Sequence, residues 1–537
     1  MSREYDIVIK TGRVLDGTGN PYYVADIGIS NGKIIRIGKG IDPALAPRII
    51  QAAGLVVSPG FFDAHSHDDL YLMFKPTCDD KILQGVTTDV IGNCGISVTP
   101  LTDEHKTEMI SLLGVVGGQY TSQADLNMRT FADYLRKLEA LKPGINVLPL
   151  VGHCTVRVAV MAYANRAPTD AELRRMKDWV SSAMEDGAFG LSTGLIYAPG
   201  NYAKTEEIIQ LAKVVSQFNG IYTSHIRSEG DAQLPANAET IRIGEEAGVP
   251  VHISHHKALG KGNWGKSVET LRMMAEARAR GVEVTCDQYP YTAGSTFLAA
   301  VLPQRAMEGK AEVVTEKLRD PKYRAELIET IEKGSEEGWE NLIKGTGFEG
   351  IVISRSSKHG DYLGKSIAEI AKKESRSPYD VIFDLVIEEG RGLIVILFNM
   401  ADEDIHRIMR TPWTMVGSDG IPSFGAGRAH PRQTGTFPRV LGRYVREKGV
   451  LTLEEAIRKM TSLPAQTFGV KGKGLLKEGF DADLVIFNPE TIIDKATYED
   501  PNQPPEGIRY VLVNGKIAVE DGRVTGVASG RVLRKEK

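Results

Sequence analysis

The stretch from 189 to 287 alternates short strand-like runs with helical sequence, and this alternation decides the fold. The runs are F-G-L-S-T-G (189–194), I-Y-T-S-H (221–225), V-H-I-S-H-H (251–256) and V-E-V-T-C-D (282–287). An earlier run of the same kind is V-L-P-L-V-G (147–152). Because repeated strand–helix units build parallel sheets, we expect a parallel sheet, either open or closed into a barrel of about 250 residues or more.

One helix between these runs carries a start signal. Thr169 is followed three residues later by Glu172, which is the spacing of a capping box. Leu173, Met176 and Val180 then recur at helical intervals. We therefore predict that a helix begins at Thr169.

The two ends of the chain share a different texture. Short runs that alternate apolar and polar residues, separated by Gly and Asn turns, indicate β-strands. Such runs are D-I-V-I-K (6–10), A-D-I-G-I-S (25–30), K-I-I-R-I-G (33–38), D-A-D-L-V-I-F (481–487) and Y-V-L-V-N-G-K-I (510–517). A chain of 537 residues is long for one simple core. We expect a small β-domain from 1–58 plus 471–537, and a second domain over 59–470.

Residues from about 305 to 345 interrupt the strand–helix alternation. This segment is highly charged and has helical periodicity. We interpret it as a helical insertion within about 300–350. Two roles remain open at this point: a lid over a functional site, or a solvated helical pair with no role.

The composition excludes several classes of protein. The net charge is −4, with 42% hydrophobic and 25% charged residues, so nothing indicates nucleic acid or an anionic membrane as partner. The N-terminus lacks a signal core and no apolar run reaches about 18 residues, which predicts a cytoplasmic protein. The widely spaced cysteines argue against a disulfide framework and leave each as a core thiol or a ligand; they are Cys78, Cys94, Cys154 and Cys286.

A cluster of polar groups follows two aromatic residues in F-F-D-A-H-S-H-D-D-L (61–70). Burying so many polar groups without partners would cost several kcal/mol, roughly 2–7 per group. A strand would place Asp63, His65 and His67 on one face, because side chains alternate with a period of two. Two imidazoles on one face indicate a metal ion as shared ligand, and the alternative is a hydrogen-bonded loop near the surface.

Further potential ligands stand where strands end. Cys94 lies in G-N-C-G, His225 ends I-Y-T-S-H, and Asp419 lies in S-D-G. In a parallel barrel the strand C-termini face one way, so these residues would meet at one rim. Imidazole, thiolate and carboxylate are the donors that zinc prefers, although a single buried cysteine is more often a core residue. In V-H-I-S-H-H-K, periodicity alone cannot choose between His255 and His256.

The whole chain resembles the amidohydrolase superfamily, and within it the D-aminoacylase or N-acyl-D-amino-acid deacylase family. The superfamily features are P-G-F-F-D-A-H-S-H (59–67), the two downstream histidines, S-D-G (418–420) and G-L-L-K-E-G-F-D-A-D-L-V-I-F (474–487). The family features are G-N-C-G (92–95), T-S-H-I-R-S-E-G (223–230), I-S-H-H-K (253–257), D-Q-Y-P-Y-T-A-G-S-T (287–296) and H-P-R-Q-T-G-T-F-P-R-V-L-G (430–442).

The resemblance implies a distorted (β/α)8 barrel with a small β-sandwich domain built from both termini. It implies zinc-dependent hydrolysis of the linear amide bond of N-acyl-D-amino acids, which gives a carboxylate and a free D-amino acid. The fourth strand, F-G-L-S-T-G, lacks the metal-bridging lysine of many amidohydrolases, and Cys94 matches the cysteine that replaces it.

The resemblance also implies the roles of individual residues. One tightly bound zinc would be held by Cys94, His225 and His255. A second, weaker position would be lined by His65, His67 and Asp419, with Asp419 as the catalytic acid and base. The substrate carboxylate would be held by family-matching residues, which are Lys257, Tyr289, Ser295 and Arg432.

The side chain of the preferred substrate is predicted from one uncharged run. S-T-F-L-A-A-V-L-P (295–303) follows the substrate-binding serine and carries no basic residue that could pair with an acidic side chain. We expect a preference for neutral or hydrophobic D-residues such as Met, Leu or Phe. The only partner we expect is this small-molecule substrate, with no nucleic acid and no membrane.

Two rival functions remain. The first is a cyclic-amide hydrolase of the hydantoinase or dihydroorotase kind, against which the absent lysine and the presence of Cys94 both weigh. The second is a metal-free scaffold, because fold does not guarantee activity. All six expected metal-site residues are present, which weighs against a scaffold.

Overall fold

The β-strands bring distant parts of the chain together. In the computed structural model, residues 4–309, 311–334, 339–422 and 428–536 are described. The strands are β1 Ile7–Val14, β2 Tyr23–Ser30, β3 Lys33–Gly38, β4 Arg48–Gln51, β5 Val56–Pro59, β6 Phe61–Asp63, β7 Val86–Ile91, β8 Asn146–Pro149, β9 Val151–Gly152, β10 Gly190–Gly194, β11 Ile221–His225, β12 Val251–Ile253, β13 Val284–Gln288, β14 Ala293–Phe297, β15 Ile351–Arg355, β16 Ile394–Phe398, β17 Thr414–Val416, β18 Leu484–Phe487, β19 Ile508–Val513, β20 Lys516–Glu520 and β21 Arg523–Val524.

The α-helices connect most of these strands. They are α1 Tyr71–Phe74, α2 Asp79–Ile82, α3 Lys106–Gly117, α4 Phe131–Leu141, α5 His153–Met161, α6 Asp170–Asp186, α7 Thr205–Ser216, α8 Gln233–Ala247, α9 Ser267–Ala279, α10 Ala311–Arg319, α11 Pro321–Lys333, α12 Leu342–Thr346, α13 Ile367–Glu374, α14 Pro378–Glu389, α15 Asp402–Arg410, α16 Arg432–Arg439, α17 Leu453–Met460 and α18 Ser462–Thr467. A π-helical turn, Val440–Glu447, continues α16.

Strands from both ends of the chain form one nine-stranded sheet. Its order is β21-β20-β19-β18-β5-β1-β2-β3, and β4 pairs with β1 in parallel. The junction between the two ends is the antiparallel pair of β18 and β5, in which Leu484 lies opposite Pro59. Alternate apolar residues of these strands, such as Ile9, Ile27 and Ile486, are fully buried in a shared core.

Two sets of parallel strands carry the site. One set has the order β6-β7-β8, and the other has the order β17-β13-β12-β11-β10-β9. Only Leu150 separates β8 from β9 in the chain. At the other end β6 lies beside β17, because Ala64 N–H donates to Val416 O (3.3 Å) and Ser66 forms a parallel bridge with Gly420. The first and last parallel strands are therefore neighbours.

The predicted strand–helix alternation is confirmed over 189–287, where β10, β11, β12 and β13 pair in parallel with neighbouring strands. The helix predicted at Thr169 is confirmed as α6. The Thr169 hydroxyl accepts the Glu172 N–H, and the Glu172 carboxylate accepts the Thr169 N–H. This reciprocal pair satisfies two backbone donors that the first helical turn would leave free.

Between β13 and β17 the chain departs from simple alternation. The predicted helical segment contains α10, α11 and α12, while residues 310 and 335–338 lie outside the described residues. A three-stranded antiparallel sheet of order β14-β16-β15 accompanies these helices and was not predicted. Among the described residues, no helix combines the length and apolar character needed to cross a membrane.

Candidate metal centre

Four potential ligands meet where parallel strands end. One donor atom from each of His65, Cys94, His255 and Asp419 lies within 4.8 Å of the others, and all four residues are buried. Cys94 Sγ lies 3.4 Å from His65 Nε2 and 3.4 Å from His255 Nε2. Asp419 Oδ1 lies 3.6 Å from His65 Nε2.

The two remaining predicted ligands adjoin this group. His225 Nδ1 lies 3.7 Å from Cys94 Sγ, and its ring meets the His255 ring edge-on at 4.4 Å between centroids. His67 Nε2 lies 3.1 Å from Asp419 Oδ1. The structure therefore brings together all six residues that the sequence predicted for the metal site.

The route of the chain into the site differs from the prediction. The expectation that one strand face carries Asp63, His65 and His67 is wrong, because β6 ends at Asp63. Beyond Asp63 the backbone bonds to two different neighbours: Ser66 N–H donates to Val90 O (3.1 Å) and His67 N–H donates to Gly420 O (3.0 Å). A loop that is hydrogen-bonded to both neighbours, rather than a strand face, brings the His65 and His67 rings to 5.4 Å between centroids.

Three of the clustered residues have left-handed backbones. The φ angles are 51° for Cys94, 35° for His255 and 48° for Asp419. Such conformations cost non-glycine residues about 1–3 kcal/mol each and persist where the surroundings determine them. Here His255 N–H donates to Asp287 Oδ1 (2.9 Å) and Asp419 N–H donates to His65 O (2.8 Å).

The structure separates the three histidines of V-H-I-S-H-H. His255 faces Cys94. His256 Nε2 instead lies 2.8 Å from Thr270 Oγ1, and His252 Nε2 lies 2.8 Å from Asp287 Oδ2. Periodicity could not make this distinction, because His255 sits in a left-handed turn beyond the end of β12.

A cavity opens over the cluster. Eight of the ten predicted site residues line it, and these are His67, Cys94, His225, His255, Lys257, Tyr289, Ser295 and Asp419. The other two, His65 and Arg432, are almost fully buried beside it. Arg432 Nη1 lies 2.8 Å from Asp419 Oδ2, and its guanidinium stacks over the Tyr289 ring at 4.7 Å.

Comparison with known proteins identifies the family. A family model described as "Amidohydrolase family" matches residues 48–519. The chain belongs to the amidohydrolase family. It is 40% identical over 534 residues to D-aminoacylase from Alcaligenes xylosoxydans xylosoxydans, which covers 99% of this chain and 98% of that protein.

Two further relatives are N-acyl-D-glutamate deacylases. The protein from Alcaligenes xylosoxydans xylosoxydans is 38% identical over 540 residues, which covers 100% of this chain and 98% of that protein. A solved structure of the Bordetella bronchiseptica protein, complexed with zinc and a phosphonate inhibitor that mimics the tetrahedral intermediate, has a TM-score of 0.82. It is 36% identical and covers 99% of each chain.

The remaining walls of the cavity in this amidohydrolase are largely apolar. They include Ile96, Val115, Val116, Phe297, Leu342 and Leu397. Leu342 begins α12, so the predicted insertion contributes directly to the cavity wall.

Two buried carboxylates at the site were not predicted from the sequence. Asp287 Oδ2 lies 3.3 Å from His65 Nδ1, and Glu229 Oε1 lies 2.9 Å from His255 Nδ1. Glu229 Oε1 also accepts a hydrogen bond from Lys257 Nζ (2.5 Å). Asp287 ends a predicted strand run, as the predicted ligands do, and that position was the signal that could have found it.

The charges of the site favour an ionised Asp419. Burial opposes ionisation, but the Arg432 guanidinium and the neighbouring imidazoles outweigh it and hold the pKa of Asp419 well below its usual range. Burial also opposes ionisation of Glu229, and Lys257 in turn lowers the pKa of that carboxyl.

The donors fit a zinc ion. Burial first, and then Asp419 and Glu229, raise the pKa of the Cys94 thiol well above its usual value, so a thiolate here requires a nearby cation. His225 Nε2 is buried and has no hydrogen-bond partner among the described residues. A thiol, three imidazoles and a carboxylate within reach of one another form the mixed sulfur, nitrogen and oxygen donor set that zinc takes.

Proposed function

We propose that this amidohydrolase hydrolyses the amide bond of N-acyl-D-amino acids and releases a carboxylate and a free D-amino acid, with zinc as cofactor. The observation that carries the proposal is the approach of Cys94 Sγ to within 3.4 Å of His255 Nε2, in a cavity that also presents Asp419 and Lys257. Full-length identity of 38–40% to proteins named D-aminoacylase and N-acyl-D-glutamate deacylase supports the substrate class.

Cys94, His225 and His255 would hold one zinc ion tightly, and His65, His67 and Asp419 would line a second, weaker position. When bound, zinc polarises the amide carbonyl and lowers the pKa of water from about 15.7 to about 7.

Asp419 is the group that moves protons in this proposal. Its carboxylate takes a proton from the attacking water and later delivers it to the leaving nitrogen. Arg432 keeps the carboxylate ionised and therefore able to accept that proton. General acid–base catalysis of this kind is typically worth about 10²–10⁴-fold in rate.

The substrate carboxylate meets the positive side of the cavity. Lys257 lines the cavity and Arg432 lies buried beside it over the Tyr289 ring, and both would supply positive charge. A guanidinium can grip a carboxylate with two parallel hydrogen bonds. Tyr289 and Ser295 line the same cavity. The apolar walls, including Phe297 and Leu342, support our preference for neutral or hydrophobic D-side chains, since an acidic side chain would be buried there without a partner.

We also propose how the strands and domains are arranged. We infer that β6, β7, β8 with β9, β10, β11, β12, β13 and β17 form a closed (β/α)8 barrel, supported by the pairing of Ser66 with Gly420. The division into 59–470 for the barrel and 1–58 plus 471–537 for the β-domain, of the sandwich type, remains our proposal.

One substrate panel tests the function. The purified protein is assayed with N-acetyl-D- and N-acetyl-L-amino acids, hydantoin and dihydroorotate, before and after chelation and after zinc is restored. We expect hydrolysis of the D-series alone, lost with chelator and recovered with zinc. Turnover of the cyclic amides would favour the first rival, and a protein that binds no zinc on elemental analysis would favour the scaffold.

A further inference from the structure

A lysine outside the predicted site contacts the turn that carries Asp419. Lys81 lies in the short helix α2 and is fully buried. Its Nζ donates to Asp63 Oδ2 (2.7 Å) and to Ser418 Oγ (2.9 Å), and it lies 3.3 Å from Asp68 Oδ2. Among the described residues, none of α2 lines the cavity, so Lys81 reaches the site only through its neighbours.

We propose that Lys81 is a positioning residue, which fixes the catalytic carboxylate of Asp419 through Ser418. The proposal rests on the proposed function in one respect, since it takes Asp419 as the proton carrier. It concerns a group that touches neither substrate nor metal.

Four hydrogen bonds hold Ser418 in place. Its N–H donates to Asp63 Oδ1 (2.8 Å), and its hydroxyl donates to His65 O (3.3 Å). The same hydroxyl oxygen accepts the Gly420 N–H (3.1 Å) and the Lys81 ammonium. The Ser418 hydroxyl therefore restrains both residues that flank Asp419: Ser418 itself and Gly420.

The hydrogen bonds of Ser418 restrain the backbone next to Asp419. Asp419 has a φ of 48°, a left-handed conformation that is uncommon outside glycine and costs free energy that its surroundings must offset. Its own N–H donates to His65 O (2.8 Å), which links the turn to the loop of the first two histidines. In this conformation the carboxylate reaches both His67 (3.1 Å) and Arg432 (2.8 Å).

Lys81 is also the counter-charge of two buried carboxylates. Among the described contacts of Asp63 and Asp68, it supplies the only positive charge. Removing it would leave buried carboxylates without a counter-charge, which destabilises a protein strongly. A lysine variant therefore risks misfolding, and the hydroxyl of Ser418 is the better place to break the chain of contacts.

The test compares Ser418→Ala with Ser418→Thr, which keeps a hydroxyl, and with Ser462→Ala. Ser462 is a matched control because its buried hydroxyl donates to Gly17 O, away from the site. We expect Ser418→Ala to lower kcat on N-acetyl-D-methionine by about tenfold or more, with KM and zinc content unchanged. The threonine variant should restore kcat in part, and the control should retain it.

A second measurement does not depend on activity. Hydrogen–deuterium exchange of the amides at Asp419 and Gly420 should rise in Ser418→Ala and in Lys81→Met, but not in Ser462→Ala. Unchanged exchange of the α6 amides shows that Lys81→Met is folded and that its rise is confined to the turn. If wild-type protein hydrolyses no N-acyl-D-amino acid, the proposed function fails while this exchange pattern still tests the positioning. Unchanged exchange at Asp419 and Gly420 in Lys81→Met would overturn the positioning role of Lys81. So would an unchanged kcat and unchanged exchange in Ser418→Ala, or an equal loss of kcat in the control.

Discussion

Glu229 Oε1 lies 2.9 Å from Nδ1 of His255, while Nε2 of the same ring faces Cys94 Sγ at 3.4 Å. The two nitrogens of one imidazole thus face a carboxylate and a thiol. The Lys257 ammonium also lies 2.7 Å from this Nδ1 but has no lone pair with which to accept its proton. The Glu229 carboxylate is the acceptor there, so it favours the tautomer that carries the proton at Nδ1 and leaves Nε2 with a free electron pair for a metal.

Glu229→Gln tests this arrangement. Because the amide accepts a hydrogen bond less strongly and can present its NH₂ group instead, the tautomer preference weakens, and we expect zinc affinity to fall by about 10–100-fold. The measurement is competition with a chelator of known affinity. Glu245→Gln, at an exposed carboxylate paired with Arg280, is the control and should bind zinc as wild type does. Equal zinc affinity in both variants would contradict the assigned role.

The cap of α6 gives a prediction about stability and pH. The Arg166 side chain first, and then the Thr169 backbone, lower the pKa of Glu172 to about 2 in the folded protein. A carboxyl whose folded pKa is depressed contributes stability above its unfolded pKa of about 4.3, and this contribution is lost as the pH falls toward 2. Glu172→Gln should therefore lower the thermal midpoint at pH 7 and have little further effect near pH 2.

The control for this prediction lies in the same helix. Glu185 is exposed near the end of α6, outside the capping box, so Glu185→Gln should leave the midpoint at pH 7 nearly unchanged. Thr169→Ala, which removes the other half of the capping box, should cost about 1 kcal/mol. A loss in Glu172→Gln that is the same at both pH values would show that the carboxylate charge does not contribute.

Sequence patterns predicted the helices and strands that depend on residues close together in the chain. The capping spacing of Thr169 and Glu172 located a helix start, because the contacts that stabilise it span three residues. The runs ending at His225 and Asp287 predicted strands, because β-branched residues and turn signals are local properties as well. The position of a ligand at a strand end was informative for the same reason.

Contacts between distant parts of the chain could not be predicted in this way. Lys81 lies 18 residues from Asp63 and 337 residues from Ser418 in sequence, and nothing in D-D-K-I distinguishes it from a surface lysine. The sheet of β14, β15 and β16 was missed because its pairing joins segments about as far apart as Ser295 and Ile396. The choice of His255 over His256 came from family resemblance, since a left-handed turn breaks the period of two.

The assigned zinc ligand can be tested against another buried cysteine. Cys94→Ala removes the sulfur that lies within 3.4–3.7 Å of three imidazoles, and we expect zinc content to fall together with activity, by more than about 100-fold. Cys286→Ala removes a sulfur that contacts Thr414 instead and should retain zinc. Elemental analysis of both purified variants decides the matter, and full zinc occupancy in Cys94→Ala would refute the ligand set.

The apolar cavity wall predicts which substrates are preferred. Wild-type protein should have a higher kcat/KM on N-acetyl-D-methionine than on N-acetyl-D-glutamate, since a second carboxylate would lie against apolar residues such as Leu342 without a partner. Leu342→Arg should shift this ratio toward the glutamate substrate by about tenfold, because it places a cation in the wall. Val313→Arg, at an exposed site in α10, is the control for an added arginine in the same insertion and should leave the ratio unchanged. A wild-type preference for N-acetyl-D-glutamate would contradict the apolar assignment, whereas a ratio unmoved by Leu342→Arg would remove only this leucine from the wall that selects the side chain.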